Sequence, residues 1–292
     1  MSSVLHAVVE PGFFSSTQVQ LAATIGGLVA IVASGVGVFT VIRAQAFAGE
    51  ALGDIGAAGG SSAYLVSIPN LWGFLASTVV AAGAMELIGI QRARGRDLAT
   101  GIVLGVGFGI TALLLYLATT SNSTTGAPVV ILFGSLFTIS SSILPLVLVL
   151  AGITVAILLT LYRPLLLVSI SPELAAARGI PVRLVGAAYL IALAVAVALA
   201  AETIGAILST ALLVGPAAAA LRLTRRPQAA ALAAAGIGLG CTWLGMLLAW
   251  DSYYWPPNGH GWPVSFFVVT LVLLAYLASG LGRRTRRRRG KA

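Results

Sequence analysis

Long apolar runs separated by short polar breaks dominate the chain. They fall at 18–42, 49–68, 70–90, 98–118, 143–163, 184–202, 204–222, 229–250 and 262–281. Each is near the ~20 residues a helix needs to cross the hydrocarbon core of a bilayer. The second run is rich in Gly and Ser, and the sixth and seventh share one continuous apolar stretch. The pattern therefore predicts an all-α polytopic membrane protein with eight or nine transmembrane helices. A shorter apolar segment, VVILFG, lies within the Ser/Thr/Gly-rich stretch 119–140 and predicts a short, partly inserted element.

Composition agrees and removes whole classes of function. Of the 292 residues 59% are hydrophobic and 9% charged, where a soluble domain carries about 25% charged residues. No segment outside the spans is long enough to fold alone, so residues 1–292 form a single membrane domain. The one cysteine, Cys241, rules out a disulfide framework and a cysteine-based metal site, and two distant histidines, His6 and His260, rule out His-rich clusters. The only lysine is Lys291, and no GxxxxGK[ST] occurs, so this chain has no P-loop of its own. No span holds a nucleophile–base pair at catalytic spacing, which disfavours an intramembrane enzyme.

The net charge of +9 reads as topology, not as nucleic-acid binding. With nine spans, Arg43, Arg92, Arg94, Arg96, Arg163, Arg178, Arg183, Arg222, Arg225, Arg226 and the tail 282–292 (GRRTRRRRGKA) all fall on one side. The intervening loops TTSNSTTGAP and DSYYWPPNGHG carry no Lys or Arg. The positive-inside rule then puts the N-terminus outside and the basic C-terminal tail in the cytoplasm. The first 17 residues lack the basic region and cleavage site of a signal peptide, so span one is expected to act as an uncleaved start. Sixteen Arg against one Lys points to GC-rich codons and a bacterial source.

Acidic residues inside spans are costly and mark paths or partners. Glu50 and Asp54, four residues apart, share a helix face among Gly49, Gly53, Gly56, Gly59 and Gly60. Two such carboxylates repel unless a proton or a cation joins them, and a divalent cation satisfies both. The competing reading is a polar pair facing water or Arg43. Glu86 and Glu202 read as snorkelling or capping carboxylates near span ends. Asp251 and His260, in an outer loop with Tyr253, Tyr254 and Trp255, are weaker candidates for a metal-contacting outer gate or docking surface. Gly215 and Pro216 are expected to break span seven.

The cytoplasmic loop 163–183, RPLLLVSISPELAAARGIPVR, carries deliberate punctuation. Ser171 is an N-cap, Pro172 takes the first helical position, and Glu173 complements the dipole. Leu174 to Arg178 continue the helix, Gly179 stops it and Pro181 prevents resumption. A rigid two-turn helix over 171–179 suits a surface that receives force from a separate ATPase.

Three segments together resemble the permease subunits of metal-type ABC importers, the zinc/manganese/iron family. GVFTVIRAQAFAGEALGDIGAAGG is similar to the family's stretch running through GDALSHAALPG. SPELAAARGIPVRL is similar to its coupling region DPELARALGLPVRL, and IGAILSTALLVGPAAAALRL to its VGVLLVSALLILPAATARLL. The match runs in order over roughly residues 11–281.

The resemblance implies the long-helix importer architecture, a second permease subunit in a homodimer or pseudo-dimer, a pair of cytoplasmic ATPase subunits that bind the ATP, and an extracytoplasmic metal-binding protein. It implies a bacterial inner-membrane location and no catalytic role or cofactor for this chain. It also implies that the family's Asp and His of GDALSH, which line the path, correspond to Glu50 and Asp54. An all-oxygen pair leans toward manganese or ferrous iron over zinc. The alternative is a secondary carrier in which Glu50, Asp54 or Glu202 moves protons.

Overall fold

The computed structural model describes residues 16–88, 96–121, 126–134, 136–224, 226–255 and 261–289. Within them the chain forms eleven α-helices and short 3-10 turns, and no strand. Nine helices are 18 to 27 residues long: α1 (Thr17–Ile42), α2 (Ala46–Leu65), α3 (Asn70–Ile88), α4 (Arg96–Ser121), α6 (Leu144–Ile170), α8 (Val182–Ile204), α9 (Ala206–Leu223), α10 (Pro227–Asp251) and α11 (Val264–Arg289). Two are short, α5 (Ala127–Phe133) and α7 (Pro172–Ala177). Six of the helices are long and apolar enough on composition alone to cross a membrane.

Local chemistry sets the boundaries. Proline occupies one of the first two positions of α5, α6, α7 and α10, where its missing N–H is no loss. Two residues past the ends of α1 and α2 stand Ala44 (φ +52) and Ser67 (φ +59), each followed by an amide that reaches back five residues: Gln45 N–H to Thr40 O at 2.9 Å, and Ile68 N–H to Ala63 O at 2.9 Å. The apolar stretch shared by the sixth and seventh runs is cut at Gly205 (φ +92), so these are two helices.

Helices α1 and α8 form the buried centre, whereas α4 and α6 turn most of their apolar surface outward, as lipid-facing helices do. Small residues allow the closest approaches. A Cβ on Gly59 would stand 2.2 Å from Gly73 O, and one on Gly37 would overlap the Leu213 carbonyl. Thus α2 crosses α3, and α1 crosses α9, backbone against backbone.

The expected break at Gly215 and Pro216 is corrected by the structure: α9 runs unbroken through both, and the real interruption is at Gly205. Pro216 removes the amide that would bond Leu212 O, and the Ser34 hydroxyl of α1 donates to that carbonyl instead, over a long 3.5 Å. Gly215 leaves room for Val272 of α11, whose side chain a Cβ there would strike.

Candidate cation path and coupling helix

Helix α2 carries the acidic pair because its two sides have different jobs. The glycine side is packed. A Cβ on Gly49 would meet Leu213 at 2.9 Å, one on Gly53 would meet Ser209 Oγ at 3.2 Å and Ala206 O at 3.4 Å, and one on Gly56 would meet Thr78 at 3.1 Å. The other side, at positions i, i+3 and i+7, carries Phe47, Glu50 and Asp54. Exposure along it falls from Phe47, which is exposed, through half-buried Glu50 to Asp54 at 4%.

Helix α4 clamps the backbone at Asp54. Thr111 Oγ1 donates to Asp54 O at 3.0 Å, and Gly107 sits so close that a Cβ would be 3.1 Å from Ile55 N. The Asp54 side chain gains nothing comparable: Oδ2 is enclosed and has no hydrogen-bond partner. Neither Glu50 nor Asp54 forms an ion pair with a described residue. Arg43, the alternative partner, lies over the Tyr189 ring at 5.1 Å and donates from Nε to Gln45 Oε1 at 3.2 Å. Tyr189 is itself fully buried, its hydroxyl 2.7 Å from Thr40 Oγ1. An enclosed carboxylate oxygen without a donor is costly, and a second acid one turn away adds repulsion. A cation meets both demands.

Among the described residues no three His, Cys, Asp or Glu side chains come close enough to share a metal. Asp251, the last residue of α10, is buried but does not join Glu50 and Asp54 in such a group. His260 lies outside the described residues. Around that end of the bundle Trp255, Trp262, Phe266 and Phe267 form an aromatic cluster, with centroids 5.3 to 6.4 Å apart.

The expected short helix is α7. Ser171 Oγ accepts from Leu174 N–H at 3.2 Å, and Pro172 and Glu173 open the helix. At the other end Gly179 takes φ +77, its N–H bonds Ala176 O at 2.9 Å, and Ile180 N–H bonds Ala175 O at 3.0 Å. These two bonds are a complete Schellman ending. Ala175 alone is buried, while Pro172, Glu173, Leu174, Ala176, Ala177, Arg178 and Gly179 are exposed. The helix is anchored on α6 and α8 and presents the rest of its surface outward.

Fold and site together define a polytopic helical membrane protein with an acidic pair, one member buried, in one small-residue helix and a capped helix projecting at the end of the bundle where α6 finishes and α8 begins. The model of the ABC 3 transport family matches residues 15–279, and the chain belongs to that family. It is 30% identical over 213 residues to the manganese transport system membrane protein MntC of Halalkalibacterium halodurans, covering 73% of this chain and 72% of that one. It is 25% identical over 226 residues to the manganese import system permease protein ScaB of Streptococcus parasanguinis, covering 76% and 78%. Among solved structures, PsaBC from Streptococcus pneumoniae in complex with Fab superposes with a TM-score of 0.77 at 20% identity over 94% of this chain and 95% of that one, a shared fold.

Proposed function

We propose that this chain is the membrane-spanning subunit of an ATP-driven importer of divalent metal ions, with manganese the favoured cargo. The observation that carries the reading is Asp54, a buried carboxylate with an unpartnered oxygen one turn from Glu50 on the same helix face. Relatives named for manganese transport support the cargo. The oxygen-only donor pair also suits manganese or ferrous iron better than zinc.

In this reading two copies of the chain enclose the path, so that four carboxylates face the ion where one copy supplies two. Helix α7 docks in a groove of each ATPase, and ATP-driven closure of the ATPases rocks the helices between inward- and outward-open arrangements. The chain contributes the path and the lever, and the partner contributes hydrolysis. The ends of α1 and α9 at Arg43 and Arg222 and the start of α10 at Arg226 then face the cytoplasm of a bacterial inner membrane, with the basic tail beside them. An extracytoplasmic binding protein delivers the ion at the opposite side.

Reconstitution with the cognate ATPase tests this. Vesicles should accumulate Mn²⁺ only when ATP is supplied to the ATPase side, and Mn²⁺ should stimulate hydrolysis. Uptake that persists without the ATPase and collapses with the proton gradient would instead establish a proton-coupled carrier.

A further inference from the structure

Glu202 is a further buried acid, near the end of a span. It lies in the last turn of α8, just before the interruption at Gly205. Its residue exposure is 8%, and the carboxylate has no hydrogen bond or ion pair with any described residue. The nearest arginine on its own helix, Arg183, is nineteen positions away, or about 28 Å along the axis. Helix α9 starts beside the end of α8, so their opposite dipole ends largely cancel and the carboxylate is the dominant charge at this point.

Its direction is set by helical geometry. From Ala192 to Ala206 every residue of this stretch is buried, and Val195 and Glu202 keep the largest residual exposure. They continue a stripe through Leu184, Ala188 and Ile191, which opens to 69% and 45% exposure at Leu184 and Ile191. Residues 184 and 202 are five full turns apart and therefore superimpose along the axis. Glu202 thus ends, nearly buried, the stripe of α8 that is open at Leu184 and Ile191. A carboxylate on a face turned to lipid would be prohibitive, so this face borders water or protein.

Depth follows from α2. A Cβ on Gly53, next to Asp54, would touch Val197 at 3.9 Å and Ala206 O at 3.4 Å, and Glu202 lies between those two residues in sequence. The acid is therefore within about two helical turns of the level of Asp54, on the side of the bundle away from α7. Broken helices at such a level are where membrane transporters hold ions, because the freed backbone there faces protein or water.

We infer that Glu202 is a cation-contacting residue of the path, which the ion touches on the side of Glu50 and Asp54 remote from α7. This rests on the divalent-cation reading above. A single carboxylate gives a passing contact and no resident site, in keeping with the lack of any three-ligand group.

The complete complex in vesicles, with radioactive Mn²⁺ as probe, tests it. Glu202→Gln keeps size and removes charge, and should raise KM for Mn²⁺ roughly tenfold with the maximal rate within about twofold of wild type. Glu202→Asp should restore KM to within about threefold. Should Glu202→Gln fail to assemble, Glu202→Cys in a C241A background provides the second measurement: labelling by a charged thiol reagent should occur and be slowed by Mn²⁺. An unchanged KM in Glu202→Gln beside normal wild-type uptake overturns the role of Glu202 alone, as does a thiol that is inaccessible or indifferent to Mn²⁺. Wild-type vesicles that take up no Mn²⁺ overturn the cargo and this inference together.

Discussion

Position 179 separates the conformation of α7 from the contacts it makes. Gly179 has φ +77, and a Cβ built there meets nothing within 4 Å, so a substitution acts through the backbone alone in the isolated subunit. A non-glycine L-residue in this region costs about 1 kcal/mol, and a β-branched one about 2 kcal/mol. Helix α7 has six residues, too few to be stable alone, and is held by the Ser171 cap and the two Schellman bonds. A change of 1 to 2 kcal/mol therefore lowers the ordered population by a factor of about 5 to 30. Asparagine tolerates the left-handed region better than alanine although it is larger. If α7 transmits force as a preformed helix, the ratio of Mn²⁺ transported to ATP hydrolysed in reconstituted vesicles should fall in the order Gly179→Asn, Gly179→Ala, Gly179→Val. Subunit assembly should be nearly unchanged in all three. An order with Asn worst would show that crowding against the ATPase governs the position, and full coupling in Gly179→Val would refute the lever altogether.

Four further outcomes follow from the same physics. Ser171→Ala removes the hydroxyl that accepts from Leu174 N–H, about 1 kcal/mol, and with Glu173→Ala should uncouple hydrolysis from transport in the same assay. Gly59→Ala drives a Cβ into Gly73 O and Ser77 and should cost about 3 kcal/mol, read as a large fall in thermal stability, whereas Gly83→Ala, with open space around it, should be neutral or gain slightly. Ala44→Gly relieves a left-handed alanine between α1 and α2 and should raise the melting temperature, by about 1 kcal/mol of stability. Ser34→Ala leaves the carbonyl freed by Pro216 without its donor and should cost about 1 kcal/mol in the same measurement.

Much of the fold was legible because hydropathy and punctuation are local. The first apolar run, 18–42, and α1, Thr17–Ile42, differ by one residue at the start. Ser171, Pro172 and Gly179 bound α7 as their intrinsic preferences demand. Pro216 shows where local reasoning fails. The cost of a missing amide is real, but a hydroxyl from α1, nearly two hundred residues earlier in the chain, offsets it, and only tertiary structure reveals that donor. Gly205 carries no signal in the sequence, because a lone glycine in an apolar stretch has no distinguishing neighbour. Its meaning comes from Gly134 (φ +83), which packs against it so tightly that a Cβ on either would strike the other's backbone segment.

The site divides along the same line. Glu50 and Asp54 were visible as an i, i+4 pair in a glycine-rich span, whereas the enclosure of Asp54 Oδ2 is a tertiary property and could not be read from spacing. Glu202 read as a span-end acid because its sequence neighbours are ordinary. The signal available was its phase with Leu184, Ile191 and Val195, which gains meaning once residues 192–204 of α8 are known to be buried.

The central claim is that a divalent ion passes the acidic face of α2. The most direct measurement is ATP-dependent Mn²⁺ uptake and bound Mn²⁺ in the assembled transporter, comparing wild type with the Glu50→Gln/Asp54→Asn double variant. Loss of both bound metal and uptake with assembly intact is the predicted result. Unchanged binding and uptake in the double variant would contradict the account and make the pair structural.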